Sequence, residues 1–128
     1  MATALIAADS SVLIAWLNRI GLPEVDRLER SRQDGRVVLP GVTLAETLSG
    51  PPLPEALKMA LLDLPTLPVG EGYWQRAGEL RGGILALGRR ARMADTLIAQ
   101  ACIDADVPLL TLDGDFAVFS EVGGLKLA

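Results

Sequence analysis

Asp9 closes the apolar run Ala4-Leu5-Ile6-Ala7-Ala8, and four more acids stand in comparable places along the chain. Glu46 follows the apolar stretch Val37 to Leu39, in Thr43-Leu44-Ala45-Glu46. Asp95 opens a helix-like segment, Met93-Ala94-Asp95-Thr96-Leu97-Ile98-Ala99. Asp113 and Asp115 follow the strand-like run Leu109-Leu110-Thr111-Leu112. Carboxylates where buried elements end cost a fold free energy unless something holds them. A divalent cation is the simplest holder. Mg²⁺ and Mn²⁺ take hard oxygen ligands and keep positions open for water and phosphate.

The chain has no histidine. That removes Ser-His and Cys-His nucleophile pairs, two-histidine acid/base schemes and histidine-bound zinc. Hydrolysis would have to run on carboxylates and a hard metal. The net charge of −4 runs against nucleic-acid chemistry, because phosphate affinity usually comes from Lys and Arg. The conflict softens if the five acids above form a site, since one or two divalent ions would cancel much of their charge. Arg89, Arg90 and Arg92 form the densest basic cluster. They read either as a solvated loop or as a holder of phosphates beside Asp95.

The elements that must position these acids follow an α/β alternation, which argues for a mainly parallel sheet. Residues 4–8 read as a buried strand. Ser10 or Ser11 would cap a helix through Arg19, stopped by Gly21. Pro23 starts a second helix toward Gln33, followed by Gly35. Arg36 to Leu39 is a short strand closed by Pro40, and Thr43 to Leu48 a short helix. Pro54 suits the first turn of a helix reaching about Asp63. Residues 66–69 are a strand candidate. Glu71 to Leu87 is a helix weakened by Gly78, Gly82 and Gly83, and Gly88 to Ala91 a loop. Arg92 to Ala105 is a helix with Met93, Leu97, Ala101 and Cys102 at core spacing. Leu109 to Leu112 is a strand, and residues 125–127 a last edge strand. In parallel α/β sheets ligands bind outside the carboxyl ends of the strands. Asp9 and Asp113 fall at such ends, and Glu46 and Asp95 fall in first turns of helices near that edge.

At 128 residues the chain reads as one domain with a sizeable core. Half its residues are apolar and only 4% are aromatic, so the core must be aliphatic. A mean hydropathy of +0.35 is high for a lone soluble domain and predicts apolar surface reserved for a partner. No apolar run reaches the length of a membrane span, and no signal peptide is read. The single Cys102 reads as an inert core residue in a reducing cytoplasm.

The ordered set of motifs resembles the PIN-domain family, specifically the VapC toxin branch of toxin–antitoxin (VapBC) pairs. The resembling segments are Asp9-Ser10-Ser11-Val12-Leu13-Ile14, Thr43-Leu44-Ala45-Glu46, Ala94-Asp95-Thr96-Leu97-Ile98-Ala99 and Leu110-Thr111-Leu112-Asp113-Gly114-Asp115-Phe116. They cover nearly the whole chain in order. The resemblance implies a three-layer α/β/α sandwich with a small, mainly parallel sheet flanked by helices. It also implies an acidic pocket for Mg²⁺ or Mn²⁺, cleavage of RNA, and inhibition by a small antitoxin. Asp9, Glu46, Asp95 and Asp113 become the acidic site and metal ligands. Asp115 is similar to a secondary acid, and Thr111 matches a position that is often Thr or Ser. Gly114 departs from the pattern, standing where a basic residue is common.

The expectation is therefore a cytoplasmic, metal-dependent endoribonuclease of one PIN-like domain, residues 1–128. Its partners would be RNA, a cognate antitoxin and a second copy of itself. The first two helices, through Leu13, Trp16, Leu17, Val25 and Leu28, are the expected antitoxin groove. The helix from Arg92 is one surface available to a homodimer. Two other readings stand beside this one. The first is a metal-binding module that does not cleave. The second is a phospho-receiver domain, disfavoured because neither Lys58 nor Lys126 is suitably placed.

Overall fold

The computed structural model describes residues 4–128. Its sheet has four parallel strands in the order β3-β2-β1-β4, where β1 is Ile6–Ala8, β2 Val37–Pro40, β3 Thr66–Leu67 and β4 Leu109–Leu110. Ile6 and Ala7 pair with Val37 and Val38, while Ala7 and Ala8 pair with Leu109 and Leu110. Leu39 and Pro40 continue to Thr66 and Leu67. Leu127 adds a one-residue parallel bridge to Leu109, so the edge strand expected at residues 125–127 exists in reduced form.

Strand alternation sorts the core into two layers. Ile6, Ala8, Val37, Leu39 and Leu110 face Val12, Leu13, Leu28 and Leu61. These come from α1 (Ser10–Leu17), α2 (Pro23–Gln33) and α4 (Glu55–Leu62). Ala7, Val38, Leu67 and Leu109 face Tyr73, Ile84, Ile98, Cys102 and Phe119 on the other side. These come from α5 (Tyr73–Ala86), α6 (Met93–Ala105) and α7 (Ala117–Gly123). The result is the expected three-layer sandwich. A further helix, α3 (Gly41–Leu48), contributes to both layers through Val42 and Leu44.

Several local expectations are corrected. The cap of α1 is Asp9, whose side chain accepts from the Val12 amide, rather than Ser10 or Ser11. An Asp in extended conformation offers two acceptor oxygens to the free amides of a first turn. The middle helix starts at Gly41, so Glu46 lies in its second turn rather than its first. In α6 the expected Ala101 and Cys102 are buried and Leu97 packs against the core, with Thr96, Ile98, Ala99 and Gln100 also buried, but Met93 is 51% exposed. Met93 is the first helical residue and has no preceding turn to pack beside. Leu13 and Leu28, expected to line a groove, are fully buried in the core. Beyond β4, the short 3₁₀ turn Gly114–Phe116 and all of α7 were not anticipated. Two glycines at the helix end and the Leu-Asp-Gly-Asp turn residues masked the apolar spacing of Phe116, Val118 and Phe119.

Candidate functional site

Chain reversal decides where the site falls. From β1 the chain moves outward through β2 to β3, then returns to place β4 on the other flank of β1. The crevice between β1 and β4, at their carboxyl ends, is therefore a switch point of the kind that opens a ligand cleft. Asp9 leaves β1 there, and Thr111 and Asp113 leave β4 there. Helix α6 enters β4 through a tight turn at Asp106, so it runs antiparallel to the strand and carries Asp95 in its first turn to the same edge.

Asp9 is 3% exposed. Thr111 donates to its Oδ2 at 2.7 Å, and the Val12 amide donates to Oδ1 at 3.2 Å. Ser11 Oγ lies 2.7 Å from Oδ1 and 2.9 Å from Oδ2, giving its single proton to this carboxylate. Burial raises the Asp9 pKa above its ordinary value, and it outweighs the donors from Thr111, Ser11 and Val12, which lower it. The same hydroxyls extend outward. Ser11 Oγ accepts from the Leu112 amide at 3.0 Å, and Thr111 Oγ1 accepts from the Asp113 amide at 2.9 Å. Asp113 in turn accepts from the Asp115 amide at 2.9 Å. A continuous chain of hydrogen bonds thus runs from buried Asp9 through half-buried Asp113 to exposed Asp115. Ser11 was read from the sequence only as an alternative cap. Its spacing two residues after an aspartate was the available signal.

Asp95, Asp113 and Asp115 each offer a carboxylate oxygen, and these oxygens lie within 4.8 Å of one another. Asp95 is half-buried, and its pKa is raised to about 6. The causes are burial first, then the negative charges of Asp113 and Glu46, with Arg92 opposing and Asp115 adding. Glu46 thus faces the trio from α3 without being one of it, and Asp9 lies behind it. Three hard oxygens with no histidine or thiolate among them fit Mg²⁺ or Mn²⁺ rather than a softer ion. The mutual repulsion felt at Asp95 is what a bound cation would relieve.

Beside the trio, Arg89, Ala91, Arg90 and Arg92 line a pocket of about 260 Å³ together with Asp95, Gly114 and Asp115. The basic cluster and the acids therefore share one cleft. Arg89 is committed to Glu121 at 2.6 Å. Among the described residues, no carboxylate pairs with Arg90 or Arg92 within salt-bridge distance.

A second cavity, about 500 Å³, opens between α1, α2 and α4, with Trp16, Leu17, Ile20, Val25 and Leu57 in its wall. At its edge Glu29 accepts from Trp16 Nε1 at 2.6 Å and from Arg32, whose guanidinium stands 5.6 Å over the Trp16 ring. Of the expected groove residues, Trp16, Leu17 and Val25 line this cavity, and Leu13 and Leu28 do not.

The family model described as PIN domain matches residues 6–122. No curated protein matches the chain. Among solved structures, the chain is similar to a member of the VapBC family of toxin–antitoxin systems, VapBC-5, from Mycobacterium tuberculosis. The identity is 28% and the TM-score 0.66, over 98% of each chain. It also shares its fold with VapBC2 from Rickettsia felis, a structure bound to a DNA fragment from the promoter. There the TM-score is 0.75 at 19% identity, over 97% of each chain.

Proposed function

The chain belongs to the PIN-domain family, and from that premise we propose that it is a metal-dependent endoribonuclease and the toxin of a toxin–antitoxin pair. The observation that supports this best is that Asp95 and Asp115, two of the three clustered acids, line one cleft with Arg90 and Arg92. Acids to hold a cation and arginines to hold phosphates are the two requirements of hydrolysis at a phosphodiester without histidine.

In this reading residues 1–128 act as one nuclease domain. Asp95, Asp113 and Asp115 hold Mg²⁺ or Mn²⁺. Bound there, the ion supplies water activation and charge stabilisation at the scissile phosphate. Glu46, facing Asp95, and Asp9 complete the acid set. Thr111 keeps Asp9 and Asp113 in register by donating a hydrogen bond to the carboxylate of one and accepting from the amide of the other. Arg90 and Arg92 bind RNA phosphates, and Arg89, tied to Glu121, flanks them.

The antitoxin lies in the cavity walled by Trp16, Ile20 and Leu57, which is mostly apolar with a charged rim. Exposed Trp74, Leu87 and Met93 supply apolar surface for a homodimer. No helix among the described residues is long and apolar enough to cross a membrane, and the proposed location is the cytoplasm.

The test is cleavage of structured RNAs by the purified protein, with Mg²⁺ or Mn²⁺ and with EDTA. Internal cuts that EDTA abolishes, and that Asp95→Asn and Asp9→Asn abolish while both variants stay folded, are the expected result. Equal cleavage with and without chelator would sink the mechanism.

A further inference from the structure

Residues 89–92 cross from α5 to α6 as a bare segment, with neither helix nor strand. At its start, Gly88 and Arg89 donate to Leu85 and Ile84 at the end of α5. At its finish, Thr96 ties down the Arg92 carbonyl through both its amide and its hydroxyl, at 2.9 and 2.7 Å. Between them the Ala91 carbonyl accepts from Arg81 Nε at 2.7 Å. Arg81 lies on the neighbouring face of α5, half-buried, and does not line the acid cleft. A loop without ladder bonds owes its conformation to such side-chain ties.

We infer that Arg81 is a positioning residue: its bond to the Ala91 carbonyl holds Arg90 and Arg92 where they face the acidic trio. This inference rests on the nuclease reading for its consequence in catalysis, but not for its geometry. The bond is made by Nε, the fourth atom along the side chain. Glutamine carries an N–H donor at that same position without a charge. Methionine carries a methyl group there and cannot donate. The pair therefore separates the hydrogen bond from the charge.

The experiment compares wild type, Arg81→Gln and Arg81→Met in two readouts. Trypsin cutting after Arg89, Arg90 and Arg92 reports the loop, and cutting after Arg27 and Arg30 in α2 reports the whole fold. Steady-state cleavage of an RNA oligomer in Mn²⁺ gives kcat and KM. Arg81→Met is expected to accelerate loop cutting and raise KM by about five- to tenfold, the size of one lost hydrogen bond, with kcat within about twofold. Arg81→Gln should stay close to wild type in both. Unchanged loop cutting in Arg81→Met overturns the inference. So does an equal KM rise in both variants with loop cutting unchanged, which would make Arg81 a direct phosphate contact. Acceleration at the α2 sites to the same degree would reduce Arg81 to a general stabiliser, and also overturns it. If wild type cuts no RNA, the nuclease reading fails, while the trypsin comparison still decides the role of Arg81.

Discussion

Thr111 donates its hydroxyl to Asp9 Oδ2 at 2.7 Å, joining residues 102 positions apart in the chain. The bond closes the crevice where β4 returns to the flank of β1. It also fixes Asp113, whose amide donates to the same hydroxyl. Thr111→Val should therefore destabilise the fold by about 1–3 kcal/mol near neutral pH, the cost of leaving a buried carboxylate short of a donor. The bond favours the ionised form of Asp9, which burial already disfavours. Its loss raises the Asp9 pKa further, so the difference from wild type should shrink as pH falls and Asp9 takes up a proton. Urea unfolding of both proteins at neutral and acidic pH measures this. A cost that is the same at both pH values would contradict it.

Asp95 shifts in the same direction as Asp9, with neighbouring charges adding to burial. Its folded pKa, about 6, lies above the ordinary 3.8. Between those values the folded protein keeps a proton that the unfolded chain releases. Its contribution to stability is thus intact below the ordinary pKa and is lost as pH rises through about 6. Without divalent ions, Asp95→Asn should flatten this dependence and stabilise the protein by about 0.5–2 kcal/mol at neutral pH. Millimolar Mn²⁺ should reverse the ranking, because the ion binds only the folded wild-type trio well. Melting curves of both proteins, across pH and with EDTA or Mn²⁺, give the answer. An Mn²⁺ shift of equal size in both would mean that Asp95 holds no ion.

Gly114 lines the cleft, and a Cβ added there would meet no atom within 4 Å. Gly114→Lys is therefore expected to fold normally and to add one phosphate contact. The salt dependence of RNA binding should steepen by about one unit of slope, or somewhat less for single strands. Binding isotherms at several salt concentrations test this, and an unchanged slope would remove Gly114 from the RNA path.

Ile20 is 48% exposed in the wall of the cavity between α1, α2 and α4. Ile20→Glu should leave the melting temperature nearly unchanged, because little packing is lost. It should weaken antitoxin binding at least tenfold, because a charge would enter an apolar contact. On the proposed toxin–antitoxin reading, titration with the antitoxin co-purified from the native host measures this. Undiminished affinity would place the antitoxin elsewhere.

Thr43 is fully buried, and its hydroxyl has no hydrogen-bond partner among the described residues. It lies one turn before Glu46 on α3. Thr43→Val removes the orphaned hydroxyl and keeps the branched shape, so the fold should gain about 1 kcal/mol. Thermal unfolding reads this directly. A loss of similar size would reveal a partner for the hydroxyl.

The sequence alone determined what depends on local spacing and composition. The run ending at Ala8, the Pro23 start of α2, and the stop near Gly35 are set by apolar runs, proline geometry and a residue at positive φ. The absence of histidine excluded histidine-based schemes before any coordinates. The ordered acid motifs were also legible, because each stands beside a recognisable element end. Tertiary structure alone decided which acids meet. Asp95, Asp113 and Asp115 converge because β4 returns beside β1 and α6 runs antiparallel to it, a consequence of strand order that no local pattern records. Asp9 looked equivalent to them in sequence, yet the same strand order turned it inward onto Ser11 and Thr111. Leu13 and Leu28 looked like a groove and became core, because amphipathic spacing marks which face is apolar but not what covers it. The bond from Arg81 to Ala91 was invisible for a similar reason. It pairs a side chain with a carbonyl, and every residue has a carbonyl.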